Sequence, residues 1–237
     1  MSTMLLRSTP AHFRPLFATP TPQRALRLFS STRYTLDSQA RSTPSKLHPG
    51  LYYHHLPELK ETGSVLISYL PKPPPSLKFS PTTIGTLRYP KHSLPDGPKA
   101  DEGVPPISPR TLTENPDFLR LVHEVISMNL AEDLWFQTQA KSMSSDTHIH
   151  IADQRQPADV NRIPDPQDIL GSVLVQSGSL VPSSYEPNAV AYRLVTEAGL
   201  MQLPGGLAQR LREACERVWE LEKEAAAQEE QEQGQGR

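Results

Sequence analysis

Proline constrains the fold of this chain more than any other residue. The 237-residue sequence contains 25 prolines, and 18 of them precede residue 110. Proline fixes φ and removes a backbone donor, so it disfavours helix interiors and central strands. We therefore expect a long, proline-rich and irregular N-terminal half, in which residues 37–110 form an extended segment with two short strands, at 63–70 and 83–89.

Residues 1–36 have the composition of a mitochondrial transit peptide. They contain five arginines, many serines and threonines, and no acidic residue. Arg27-Leu28-Phe29-Ser30 resembles the pattern cleaved by the matrix-processing peptidase, which implies cleavage near Phe29. The alternative is a basic, disordered N-terminus with no targeting role. The composition predicts a mitochondrial protein of the matrix.

Charge and apolar patterning exclude several classes of protein. The full chain carries a net charge of −2, and loss of residues 1–29 with their four arginines would leave −6, that is −2 − 4. An acidic mature chain is unsuited to nucleic-acid binding, which depends on Lys and Arg. No apolar run approaches the roughly 18 residues of a membrane span, so we expect a soluble protein. The single cysteine, Cys215, excludes an internal disulfide and indicates a small buried hydrophobe.

The C-terminal half predicts one α+β domain over residues 111–224. A helix is expected to begin after Asn115, and its apolar stripe is expected to continue through Leu130, Leu134 and Trp135, in a second turn or a kinked continuation. Strands are expected at 147–151, 171–176 and 189–196. A turn at 197–199 would form a hairpin, and a second long helix would follow Gly206. The predicted fold is a small, mainly antiparallel sheet with two flanking helices, followed by a disordered acidic tail at 225–237. The last helix has an apolar stripe that we expect to pack on the sheet, with a homodimer as the alternative; its residues are Leu207, Leu211, Ala214, Val218 and Leu221.

The segment THIHIAD contains the one arrangement that could bind a metal. His148 and His150 share one face of the predicted strand, and Asp146 or Asp153 could complete a His-His-Asp set for zinc, manganese or non-haem iron. The alternative is an ordinary polar strand face. We favour the strand face, because no histidine follows His150 and a catalytic metal needs three converging ligands. We therefore expect no cofactor.

An acidic, proline-braced loop follows these histidines. Its aspartates Asp159, Asp165 and Asp168 could bind the basic groups of a partner, since long connections in compact domains are often functional. A buttressing loop with no partner explains the same composition. No phosphate-binding loop, nucleophile elbow or Cys/His dyad occurs in the sequence.

Residues HIHIADQRQPADVNRIPDPQDILGSVLV, with the later AYRLVTEAGLMQLP, resemble a group of fungal mitochondrial proteins of unknown function. The resemblance covers roughly residues 109–219. It implies a mitochondrial location and no particular activity, and it assigns no functional residue. Together with the composition, it favours a non-enzymatic accessory or assembly protein that binds a partner protein or complex. The rival hypothesis is a small metal-dependent enzyme that uses the His-x-His strand.

Overall fold

The computed structural model describes residues 40–76, 80–88, 104–156 and 163–235. The predicted transit peptide at 1–36 lies outside these residues, as do Asp159 and residues 89–103. The strands are β1 (Arg41–Pro44), β2 (Tyr52–His55), β3 (Ser64–Ser68), β4 (Thr83–Arg88), β5 (Leu112–Glu114), β6 (Thr147–Ala152), β7 (Ile169–Gln176), β8 (Ser179–Pro187), β9 (Val195–Thr196) and β10 (Gly199–Leu200). The helices are α1 (Pro57–Lys60), α2 (Pro116–Asn129), α3 (Leu134–Ser142) and α4 (Gly205–Gln235).

The proline-rich half contains more strand than its composition predicted. β1 to β5 form a five-stranded antiparallel sheet in chain order. The two predicted strands are present as β3 and β4, and β1, β2 and β5 add to them. Pro44 ends the edge strand β1, and Pro71 follows β3. Prolines at strand ends and sheet edges remove no ladder hydrogen bond, so the sheet tolerates them.

The C-terminal half has two further antiparallel sheets. β6, β7 and β8 form one, and β9 and β10 form a hairpin whose turn is Glu197-Ala198, as predicted. The strand predicted at 189–196 is wrong except for β9, because residues before 195 form turns and loop. β8 was not predicted, since it contains Pro182 and Pro187; it is an edge strand, where proline is permitted.

The helix predicted after Asn115 is confirmed as α2. The Asn115 side chain accepts a hydrogen bond from the backbone N–H of Asp117, and its amide donates to the carbonyls of Ser80 and Thr83. The cap therefore also fixes the helix to the start of β4. The predicted continuation of the apolar stripe is wrong, because Leu134 and Trp135 are exposed and α3 starts as a separate helix at its own cap, Asp133.

The last helix is longer than predicted. α4 runs through Gln235 and so includes most of the segment predicted as a disordered tail. Leu207, Leu211 and Ala214 are buried as the stripe predicted, and the helix packs against α2. Cys215 is fully buried, and burial raises its pKa to about 12, which keeps the thiol protonated. From Lys223 to Gln228 the side chains are exposed on every side of the helix.

One hydrophobic core joins the two halves. Its buried members come from β2, β3 and β4, from α2, α3 and α4, and from β6 and β7. The α+β class with antiparallel sheets is therefore confirmed, and the boundary predicted near residue 110 does not divide this core. Within the described residues, none of the helices combines the length and apolar character that crossing a membrane requires.

Candidate functional site

The two histidines of β6 lie where the strand alternation predicted. His148 and His150 are exposed, and Ile149 and Ile151 between them are buried. Nδ1 of His150 shares a 2.8 Å hydrogen bond with Oγ of Ser172 on the neighbouring strand. The pair therefore lies on the exposed face of a three-stranded sheet, with one imidazole held by a cross-strand serine.

Asp153 does not join the histidines. It continues the buried phase of Ile149 and Ile151 and is fully buried. Its Oδ1 accepts from the backbone N–H groups of Arg155 (3.0 Å) and Gln202 (2.9 Å), and its Oδ2 accepts from the Tyr192 hydroxyl over 2.8 Å. No group of three or more His, Cys, Asp or Glu side chains suited to a metal occurs among the described residues.

The surroundings of Asp153 fit a structural role. Burial raises the pKa of its carboxyl, while its hydrogen bonds and the nearby Arg155 guanidinium oppose that rise. Burial also raises the pKa of Tyr192, so its hydroxyl keeps the proton that it donates to Asp153. Each oxygen of the carboxylate already accepts a hydrogen bond from the chain itself, so this carboxylate is poorly placed to act as a base or a ligand.

Arg155 uses all of its donors on this chain. A guanidinium has five N–H groups. Nε donates to Oδ1 of Asp168 over 3.0 Å; Nη1 donates to the carbonyls of Leu194 and Gly199, and Nη2 to those of Gln167 and Arg193. The side chain is fully buried. Arg155 therefore ties the loop after β6 to the 3₁₀ turn Pro166–Asp168 and to the β9–β10 hairpin, and no donor is left for a ligand.

These contacts change the interpretation of the acidic loop. Asp168, predicted as a partner-binding residue, is buried and its Oδ1 lies 2.8 Å from Nη2 of Arg155. Asp165 is exposed and its carbonyl accepts from the backbone N–H of Asp168. Asp159 lies outside the described residues. Asp165 is therefore the one candidate of the three that the described structure presents to a partner.

A buried histidine that the sequence did not single out lies in the N-terminal sheet. His54 is fully buried; its Nδ1 lies 2.8 Å from Oγ of Ser42, and its Nε2 lies 2.8 Å from Oγ of Ser68. Ser68 also donates to the carbonyl of Leu70. The proton arrangement that satisfies every group therefore has Nε2–H donating to Ser68 and the Ser42 hydroxyl donating to Nδ1.

The Ser42–His54–Ser68 arrangement lacks the features of a hydrolase. Burial lowers the pKa of His54 to about 4, so the ring is neutral and only weakly basic near pH 7. Both ring nitrogens are occupied, and no carboxylate bonds either of them. A nucleophilic serine needs a basic histidine, an orienting acid and access to substrate. The trio instead joins β1, β2 and β3 across the sheet.

His123 on α2 is also held by a contact within the chain. Its Nδ1 shares a 2.8 Å hydrogen bond with the hydroxyl of Tyr185 on β8. Burial lowers the pKa of His123 and raises that of Tyr185. The Tyr185 ring lies so close to Gly171 that a Cβ added there would be 2.6 Å from Cε2 of the ring. The hydrogen bond between His123 and Tyr185 therefore joins α2 to the C-terminal sheet.

One concave surface of the described residues is a groove between the proline-rich segment after β3 and α4. It encloses about 540 Å³ and is called the α4 groove below. Its lining residues are Leu70, Pro71, Lys72, Glu216, Arg217, Trp219, Glu220, Leu221 and Glu224. A second pocket, of about 310 Å³, lies between the loop after β1 and the start of α4.

Trp219 anchors the proline-rich wall of the α4 groove. Its indole Nε1–H donates to the carbonyl of Pro73 over 2.8 Å, and the ammonium of Lys72 lies 4.6 Å from the ring centroid. Lys72 also lies 3.6 Å from a carboxylate oxygen of Glu220. The Ser80 hydroxyl donates to a carboxylate oxygen of Glu222 on α4 over 2.7 Å. A tryptophan bonded to a proline segment is a familiar recognition mode between proteins, and here it occurs within one chain.

The α4 wall combines an exposed apolar side chain with a row of acids. Leu221, predicted to complete the buried stripe, is 64% exposed, so that prediction is wrong at this position. Glu216, Glu220 and Glu224 are exposed and lie four residues apart on the same helix. Side chains four apart share a helix face, so the carboxylates form a row along the groove.

The chain matches no protein-family model, no curated protein and no solved structure. The site must therefore be interpreted from its own geometry. The sequence signal for the groove was a tryptophan in the α4 pattern together with the PKPPP segment. The serine partners of His54 and the carbonyl partners of Arg155 carried no such signal, because they come from separate strands and loops.

Proposed function

We propose that this chain is a non-enzymatic mitochondrial accessory or assembly protein, and that it binds a partner protein through the α4 groove. The observation that carries the proposal is the exposed Leu221 in a groove of about 540 Å³. Concave surfaces with an exposed apolar anchor and a charged rim are typical of peptide- and helix-binding sites.

The buried polar clusters support a binding role over an enzymatic one. Arg155, Asp153 and His54 are each buried and hydrogen-bonded to groups of their own chain. Catalytic groups need access to substrate and a pKa suited to proton transfer. The exposed pair His148 and His150 is not joined by Asp153, so the described residues offer the rival metal enzyme no third ligand at that strand.

The mitochondrial part of the proposal rests on the leader. Residues 1–36 combine five arginines with an absence of acidic residues, which suits import across an energised membrane. The protein would act in the matrix after cleavage near Phe29. A partner there would meet a chain whose net charge is about −6, as derived above by removal of four arginines from the total of −2.

The native mass of the tagged, endogenous protein in gently solubilised mitochondria tests the proposal. We expect it to migrate in an assembly well above the 26.4 kDa of the full chain. Leu221→Asp should release it, because a charge at the groove anchor would have to be desolvated on binding. Val190→Asp is the matched control, since Val190 is 85% exposed and does not line the groove.

Any of three results would contradict the proposal or its site. Monomeric migration of the wild-type protein would remove the partner. Absence from mitochondria would overturn the transit peptide and the location together. If both aspartate variants leave the assembly intact, the partner binds elsewhere, and the α4 groove is not its site.

A further inference from the structure

We propose that the partner segment bound in the α4 groove is a basic amphipathic helix, with Lys or Arg residues four apart beside a leucine-type stripe. This inference rests on the proposed function and specifies the chemistry of its site. Leu221 offers the apolar contact, and Glu216, Glu220 and Glu224 offer the charges. The partner is a separate protein of the same compartment.

The spacing of the acids carries the argument. Like charges four residues apart weaken a helix, so the row Glu216, Glu220 and Glu224 is unfavourable for α4 on its own. The row spans about 12 Å along the axis, or slightly more than two turns. A second helix with cations at the same spacing would neutralise the row and would cover Leu221 with its apolar stripe.

The cations within the groove do not remove this complementarity. Lys72 and Arg217 line it beside the three carboxylates, which leaves one negative charge in excess. Lys72 is already shared between Glu220 and the Trp219 ring. Within the described part of the chain, neither Glu216 nor Glu224 forms an ion pair.

The C-terminal part of α4 is also negatively charged. From Glu224 to Gln235 the helix contains four glutamates and no lysine or arginine. Side chains from Glu224 to Gln228 are exposed on every side of the helix, whereas the ammonium of Lys223 lies 5.4 Å from the centroid of the Trp219 ring. A helix with no apolar face gains little from its own chain, and a basic partner along it would supply the missing contacts.

The test measures binding of a synthetic amphipathic peptide of about 15 residues, with arginines at i, i+4 and i+8 beside a leucine stripe. The full chain should bind it in low salt, and affinity should fall as salt rises. A peptide with glutamates in place of the arginines should not bind. The triple variant Glu216→Gln, Glu220→Gln, Glu224→Gln should weaken binding about tenfold, because three exposed charge pairs are lost.

The matched control is Glu58→Gln, Glu61→Gln, Glu186→Gln, which makes the same change in net charge at exposed residues outside the groove. Equal weakening by both triple variants would overturn the inference, since net charge alone would then explain binding. Equal affinity for the acidic and basic peptides would also overturn it.

The native assembly separates this inference from the proposed function. If Leu221→Asp releases the partner while the Glu216, Glu220 and Glu224 triple variant changes neither assembly nor peptide affinity, the groove is the site and its occupant is not basic. If neither variant affects the assembly, the proposed site itself fails. If Leu221→Asp and the triple variant both lose the assembly and peptide binding, the result supports the proposed function and this inference together.

Discussion

Nε of Arg155 donates to Oδ1 of Asp168 over 3.0 Å inside the protein. The two residues lie at opposite ends of the loop between β6 and β7, and both side chains are buried. The remaining guanidinium donors reach four backbone carbonyls. One arginine therefore joins the two ends of a loop whose composition suggested a solvent-facing acidic surface.

Replacement of Arg155 should destabilise the protein strongly. Arg155→Ala leaves Asp168 without its cation and four carbonyls without donors, and loss of one member of a buried ion pair costs about 3–5 kcal/mol. Denaturant unfolding followed by circular dichroism measures this. Arg120→Ala is the control, because Arg120 pairs with Asp117 at an exposed position and should cost less than about 1 kcal/mol. Equal stability of the two variants would contradict the structural role of Arg155.

His54 should make the protein less stable in acid. Its pKa in the folded state is about 4, below the unfolded value of 6.5, so the unfolded state binds a proton first as pH falls. The contribution of neutral His54 to the free energy of unfolding is fully present above pH 6.5 and declines between pH 6.5 and pH 4. The total loss of stability is about 3 kcal/mol at most. His55 and His123, whose pKa values burial also lowers, act in the same direction.

Unfolding free energies at a series of pH values test this contribution. His54→Gln should flatten the decline between pH 6.5 and 4, because glutamine does not titrate. An unchanged slope in His54→Gln would show that His54 is not the group responsible.

Gly171 should not tolerate a side chain. A Cβ there would lie 2.6 Å from the Tyr185 ring and 2.7 Å from the carbonyl of Glu186, so β8 would have to move. Gly171→Ala should cost about 1–3 kcal/mol, as overpacking does elsewhere. Gly206→Ala in the first turn of α4, where the nearest atom is a side-chain oxygen of Asp133 at 3.3 Å, should cost less. Thermal unfolding of both variants compares the two positions.

Asn115 should contribute more than an ordinary helix cap. Asn115→Ala removes the acceptor for the N–H of Asp117 and the donors to Ser80 and Thr83, and we expect a loss of about 2–3 kcal/mol. Asn115→Ser keeps a capping oxygen but not the two donors. It should fall between the wild type and the alanine variant in chemical denaturation. Identical stabilities of the serine and alanine variants would mean that the cap itself contributes nothing.

Local signals predicted the parts of the fold that depend on neighbours in sequence. The cap at Asn115, the alternation of β6 and the turn at Glu197-Ala198 all follow from short-range chemistry. The proline content led to a wrong expectation for strands, because the effect of a proline depends on where its strand lies in the sheet. Pro44 and Pro182 lie in edge strands, and edge positions cannot be recognised before the sheet order is known.

The candidate site was predictable only in part. The strand position of His148 and His150 followed from a period of two residues. The burial of Asp153, which the sequence offered as a third ligand beside them, was not predicted. The burial of Asp168 depends on Arg155, which reaches it only through the path of the loop. The α4 groove depends on Trp219 meeting Pro73, residues separated by most of the chain. Contacts of this kind come from the assembled core and not from local pattern.

α4 is one continuous helix whose first turns are buried in the core, whereas its side chains from Lys223 to Gln228 are exposed. The stretch from Lys223 to Gln235 is about 20 Å long at the rise of an α-helix. Because no break separates it from Leu207 and Leu211, the backbone of this stretch continues the axis of the buried turns. A partner bound along the stretch would therefore be attached to the same helix that packs against α2.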